Sequence, residues 1–101
     1  MRNTPPQKNN DERAVYVISV AAELSGLHPQ TLRQYDRIGL VSPSRTLGRS
    51  RRYSRRDIQL LQEVQRLVNE GINLAGIKRI LELQTAIARL QKKHTRSDKV
   101  S

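Results

Sequence analysis

Between residues 45 and 56 the chain carries six arginines, Arg45, Arg49, Arg51, Arg52, Arg55 and Arg56, and no acidic residue. A guanidinium is always charged and presents a rigid fork of donors that matches a phosphate. Six of them in one short run repel each other unless an anion orders them. Just ahead of this run, Gln30, Arg33, Gln34 and Arg37 recur at i, i+3, i+4 and i+7, which is one face of a helix, polar and free of carboxylates. Amide and guanidinium side chains on such a face can pair with base edges in a major groove, and the arginine run suits the phosphates alongside. The chemistry within reach of these residues is recognition of a nucleic acid.

Catalytic chemistry is not in view. The nine acidic residues show no paired-carboxylate spacing, and His28 and His94 are isolated. No glycine-rich phosphate loop, nucleophile–base set or metal spacing is present, so neither an enzyme nor a cofactor is expected. The chain has no cysteine, which excludes disulfides and thiolate metal sites. No apolar run approaches the ~20 residues a membrane span needs. The opening residues lack the apolar region of a secretory signal, so a cytoplasmic protein without a membrane partner is expected. Nineteen Lys and Arg against nine Asp and Glu give a net charge of +10, which favours a polyanionic partner.

The elements that must position these side chains can be read from periodicity. Residues 1–14 are polar and aperiodic and read as a disordered arm. Residues 15–18 form a short β-branched and aromatic run, a small strand or an extended lead-in. Ser19 can cap a first helix with an apolar face of Val20, Ala21 and Leu24, and Gly26 can end it. Pro29 can open a second helix, with Leu32, Tyr35 and Ile38 inward and the polar face outward. His28 stands at the capping position before it; a structural cap and a phosphate contact are both open. Gly39 supplies a stop. Residues 41–45 and 49–53 then suit two strands of a hairpin turning near Gly48.

A longer helix follows, with Ser54 and Asp57 as its capping box and Ile58, Leu61, Val64, Leu67 and Val68 as its apolar face. Gly71 ends it. Asn73 can cap a fourth helix carrying Leu74, Ile77, Ile80 and Leu81. Gly76 inside it costs ~1 kcal/mol against alanine, and a close contact is one reason for keeping it. Ile80, Leu83, Ile87 and Leu90 make a short heptad seam suited to dimerisation, and residues 91–101 read as a frayed basic tail. The expected fold is mainly α: a winged helix-turn-helix of four helices plus a small β-hairpin wing, with a short C-terminal dimerisation helix. Its boundaries are an arm over 1–14, a DNA-binding domain over 15–83 and a coiled-coil helix with tail over 84–101.

The blocks VISVAAELSGLHPQTLRQYDRIGLV, GRSRRYSRRDI and GINLAGIKRILEL, in this order, resemble the MerR family of bacterial regulators, and within it the heat-shock repressors. The resemblance covers residues 15 to about 84. It implies a homodimer that binds an inverted repeat in double-stranded DNA, with repression of chaperone genes and the chaperone DnaK as co-repressor. Carried onto this sequence, it makes Thr31, Arg33, Gln34 and Tyr35 recognition-helix residues, with His28, Gln30 and Arg37 beside them. Gln34 stands where many relatives have a second aromatic, and an amide there can pair with an adenine edge. Arg45, Arg49, Arg51, Arg52 and Tyr53 match the wing, and Tyr35 is expected inward with its hydroxyl near a phosphate.

Family members that sense metals or drugs carry a long dimer helix and an effector region. About seventeen residues follow Gln84 here, without cysteine, so a small-molecule or metal trigger is not expected. Other readings stay open: an architectural or excisionase-like winged helix, a MerR-type activator, and an RNA-associated basic protein. Three tyrosines with no stacking pair weigh against RNA.

Overall fold

The computed structural model of the chain describes residues 11–100, with side chains as far as Lys93. Most of the expected N-terminal arm, residues 1–10, lies outside the described residues. Of its remainder, Asp11 and Glu12 form a helical turn, and Glu12 meets Arg56 at 3.6 Å.

The elements run β1 (Tyr16–Val17), α1 (Ile18–Ser25), α2 (Pro29–Arg37), β2 (Ser44–Arg45), β3 (Arg51–Tyr53), α3 (Arg55–Asn69) and α4 (Leu74–Val100). The chain divides into two compact units, the first running to Arg66 and the second starting at Leu67.

In the first unit, α1 packs on α2, and both α1 and β1 contact β3. The lead-in is a strand, and α1 starts directly from it at Ile18. Ser19 therefore lies inside the first turn, and Val17 holds the N-cap position without a side-chain bond. The buried face of α1 is Ala21, Ala22 and Ser25, while Val20 and Leu24 are exposed. The expected face was thus one position out: small residues let α1 approach its neighbours closely, and the larger ones are left outside.

Gly26, at φ 76°, closes α1 with its N–H on Glu23 and the Leu27 N–H on Ala22. Gly39, at φ 86°, closes α2 in the same way, through Asp36 and Tyr35. Both positions need a left-handed conformation that glycine adopts without a steric penalty. Pro29 opens α2, and His28 caps it, its Nδ1 accepting the Gln30 N–H at 3.0 Å. Leu32 and Tyr35 point into the core; Ile38, expected beside them, is the C-cap residue and lies partly exposed.

The wing is one part of a three-stranded antiparallel sheet ordered β1-β3-β2. Ser44 and Arg45 pair with Arg52 and Arg51, and on the other side of β3 Tyr16 and Val17 pair with Tyr53 and Arg52. At the tip, the Thr46 N–H donates to Ser50 O and the Arg49 N–H to Thr46 O. This is a three-residue hairpin loop, which ends in a left-handed residue. That residue is Arg49, at φ 69°, and not the neighbouring Gly48.

Ser54 and Asp57 form the expected capping box: each side chain accepts the other's backbone N–H at 3.0 Å. Ile58, Leu61 and Val64 of α3 are buried and complete the core of this unit with Ala21, Leu32, Tyr35, Leu40, Val41 and Tyr53.

In the second unit, the N–H groups of Gly71 and Ile72 return to Val68 and Leu67 and close α3. Asn73 caps α4, its Oδ1 accepting the Gly76 N–H at 2.8 Å. A Cβ on Gly76 would meet Ile72 Cγ2 at 3.1 Å and Asn73 Oδ1 at 3.3 Å, so the glycine makes room for the cap itself. Leu67 and Ile77 are buried. The fourth helix and the short dimerisation helix expected after it are one continuous helix, which includes residues expected to fray. No break interrupts it because residues 77–93 contain neither glycine nor proline.

Candidate nucleic-acid interface

The outward face of α2 presents Gln30, Gln34 and Arg37 to solvent, with Thr31 and Arg33 half-buried at its margin. Arg33 donates to Gln30 Oε1 at 2.6 Å, which fixes one guanidinium and one amide relative to each other. His28 is exposed at the start of this face, with Nδ1 committed to the cap. Its structural role is therefore directly visible, and its other ring nitrogen is left for an external group.

Beside α2, a cleft of about 380 Å³ is lined by Val17, Ile18, Arg33, Arg49, Ser50, Arg51 and Arg52. Four guanidinium-bearing residues from α2 and the wing meet there, and no acidic residue lines it. The start of α1, whose N-terminal amides have no side-chain cap, adds a positive dipole end to the same wall. Such a cleft suits a phosphodiester backbone.

Two of the expected wing contacts are already engaged. Asp36, on α2, accepts at one oxygen, Oδ2, from Arg45 Nη2 at 2.6 Å and from Arg51 Nε at 2.7 Å. Arg51 also keeps only 20% of its side-chain exposure, against 43% for Arg45. Arg51 thus ties the wing to α2, Arg45 is the more exposed arm of the fork, and Arg49 and Arg52 have no acidic partner among the described residues, Arg52 Nη1 donating to Arg51 O at 3.2 Å. Asp36 was missed in the sequence because it stands nine and fifteen residues from its partners; a lone acid in the last turn of an amide-rich helix, ahead of an arginine run, was the available signal.

Tyr53 is not part of the surface. It is fully buried on the inner side of β3, and its hydroxyl has no hydrogen-bond partner. A wing strand alternates its side chains, so Arg52 faces out while Tyr53 faces in. Tyr35 is buried as expected. Burial pushes both phenols up from the usual tyrosine value, and for Tyr53 the Arg51 guanidinium opposes that shift while Asp36 and Asp57 reinforce it.

On α4, Ile80 is half-buried, and Leu83, Ile87 and Leu90 keep 46%, 53% and 66% of their exposure. They form a stripe spaced three, four and three residues apart along α4, a two-repeat heptad pattern. Among the described residues no group of acidic or histidine side chains could hold a metal ion, and no helix is long and apolar enough to cross a membrane.

Comparison with known proteins agrees with this arrangement. The chain is 67% identical to the heat shock protein HspR of Streptomyces coelicolor over 89% of its own length and 60% of that protein's. It is 37% identical to the regulator GlnR of Bacillus cereus over 66% of its own length and 52% of that protein's. The chain thus spans somewhat more than half the length of these relatives.

Among solved structures, it is similar to HiNmlR, a MerR family regulator lacking the sensor domain and bound to promoter DNA. The TM-score is 0.66 and the identity 33%, over 84% of this chain and 69% of that one. It is also similar to MtaN, the N-terminus of the Bacillus subtilis multidrug transporter activator, with a TM-score of 0.62 and 33% identity over 84% of this chain and 90% of that one. The sequence profile of MerR HTH family regulatory proteins matches residues 16–84, and with the helix-turn-helix and arginine-lined wing in place, the chain belongs to the MerR family.

Proposed function

We propose that this chain is a sequence-specific DNA-binding repressor of heat-shock and chaperone genes, acting as a homodimer on an inverted repeat. The observation that carries the reading is the joint presentation of an amide and arginine face on α2 and the four-arginine cleft beside it. A helix of this kind enters a major groove while the wing tracks the adjacent phosphates. Gln34 and Gln30 read base edges; Arg33, Arg37, Arg45, Arg49 and Arg52 contact the backbone; Arg51 holds the wing. The stripe of Leu83, Ile87 and Leu90 pairs two copies, so that two recognition helices reach successive major-groove segments. The high identity to the Streptomyces HspR supports the heat-shock assignment. The chaperone DnaK enters through the family resemblance as co-repressor.

The test is a binding titration at physiological salt. It compares a duplex carrying the protein's own chaperone-operon promoter with a scrambled duplex, each with and without DnaK. A preference of about a thousandfold or more, sharpened by DnaK, is the expected result. Specific binding indifferent to DnaK would retain the repressor and remove the chaperone. Equal binding to both duplexes would leave an architectural protein.

A further inference from the structure

Arg45 and Arg51 face each other across the wing, as register partners on β2 and β3. Like charges directly opposite in an antiparallel pair destabilise it. Here one carboxylate oxygen of Asp36, from the recognition helix, accepts both guanidinium groups. The two arms of this fork are unequal. Asp36 and Arg51 are both largely covered, at 14% and 20% exposure, whereas Arg45 is 43% exposed. An exposed ion pair contributes little and is screened by salt. Removing the partner of a covered charge is far more costly, because the charge left behind is poorly solvated.

We infer that Asp36 sets how many wing arginines DNA can use: Arg51 stays on the carboxylate as a fixed strut, while Arg45 leaves it for a phosphate. The inference rests on the reading that this interface takes DNA. A duplex phosphate competes for the exposed arm only, because Asp36 remains neutralised by Arg51 after Arg45 has gone. Asp36 therefore withholds one cation from every duplex and in return holds the wing at one angle to α2. It is a positioning residue that lowers affinity for any sequence and raises discrimination between sequences.

The salt dependence of binding separates this from a purely structural role, since each phosphate neutralised adds about 0.9 to the slope of log affinity against log salt. The probes are a random-sequence duplex and a duplex of the protein's own promoter DNA, with helicity of each variant checked by circular dichroism.

Asp36→Asn frees Arg51, so on the random duplex the slope should steepen by about 0.9 and affinity should rise. The promoter-to-random ratio should fall about tenfold, the size of one lost base contact. Arg51→Gln leaves Asp36 with Arg45 alone, so the slope should become shallower by about 0.9 although Arg51 touches no phosphate. Adding Asp36→Asn to Arg51→Gln should release Arg45 and restore the parental slope. An Arg51→Gln slope equal to the parent, or no recovery in the double variant, overturns the inference while leaving DNA binding intact. A parent chain without salt-dependent binding to either duplex overturns the functional reading and this inference with it.

Discussion

The Ser54 hydroxyl accepts the backbone N–H of Asp57, and the Asp57 carboxylate accepts the backbone N–H of Ser54, each at 3.0 Å. The exchange lies at the residue that follows Tyr53, the end of the wing, so one reciprocal pair both starts α3 and fixes where β3 stops. Ser54→Ala and Asp57→Ala should each lower stability by about 0.5–2 kcal/mol. Because the two bonds satisfy one helix end, the double variant should cost less than the sum. Urea denaturation of the three variants measures this; strict additivity would mean that the two bonds act independently.

Arg49 holds the left-handed place at the wing tip while Gly48 stands next to it in an ordinary conformation. A non-glycine residue there costs about 1–2 kcal/mol, part of which glycine would lose again through the freedom of its unfolded chain. Arg49→Gly should therefore raise stability by up to about 1 kcal/mol. It should also flatten the salt slope of DNA binding by about 0.9, because a guanidinium has left the cleft. Thermal denaturation and a salt titration on one preparation test both halves.

Gln34 is exposed on α2, and the proposed function gives it a base edge where Arg49 takes a phosphate. Gln34→Ala should cost ~1–3 kcal/mol on promoter DNA and nothing on a random duplex. Equal losses on the two duplexes would place Gln34 on the backbone instead.

Burial raises the ionisation of Tyr35 and Tyr53 above the ordinary tyrosine value. Both are neutral in either state below pH ~10, so their contribution is complete there. As pH rises past that point the unfolded chain ionises first, and stability falls until the folded phenols ionise as well. Tyr53→Phe removes one of these groups together with a buried hydroxyl that has no partner. It should move alkaline unfolding to higher pH without weakening the neutral protein, since no buried donor is left unpaired. Ellipticity and phenolate absorbance followed against pH check the order of events. DNA affinity at neutral pH should not change.

Leu83, Ile87 and Leu90 project from α4 at the spacing of a two-helix seam. If the proposed homodimer pairs through this seam, Ile87→Glu should raise its dissociation constant by about a hundredfold or more, because a carboxylate replaces a side chain worth ~1.5–3 kcal/mol when buried. Arg89→Glu, also on exposed α4 surface but outside the stripe, should leave it nearly unchanged. Sedimentation equilibrium distinguishes the two.

What the sequence made legible was local. Caps at His28, Ser54 and Asn73 and stops at Gly26, Gly39 and Gly71 follow from residue type within a few positions, and all six are in place. The polar face of α2 follows from its period. What escaped was non-local or depended on size. Pairing of Tyr16 with Tyr53 joins residues far apart in the chain, so β1 could be read only as a strand or an extended lead-in. The core face of α1 shifted by one position because a pattern weights Val20 and Leu24 by hydrophobicity, whereas the packing wanted Ala22 and Ser25. Tyr53 was placed at the surface by its arginine neighbours, although strand alternation turns it inward. The Asp36 fork has no local signature at all.

The pairing of β1 with β3 also bears on how the molecule assembles. α1 and α2 meet across a three-residue turn, so their contacts close a short loop and form early. Val17 and Arg52 must close a loop of more than thirty residues before the central strand of the sheet has both neighbours. The helix pair and the β2–β3 hairpin thus both close on local contacts, and only the docking of β1 on β3, the latch of the sheet, needs the longer closure. Shortening or tethering the chain just ahead of Tyr16 is therefore felt at the arginine cleft while the two helices stay folded.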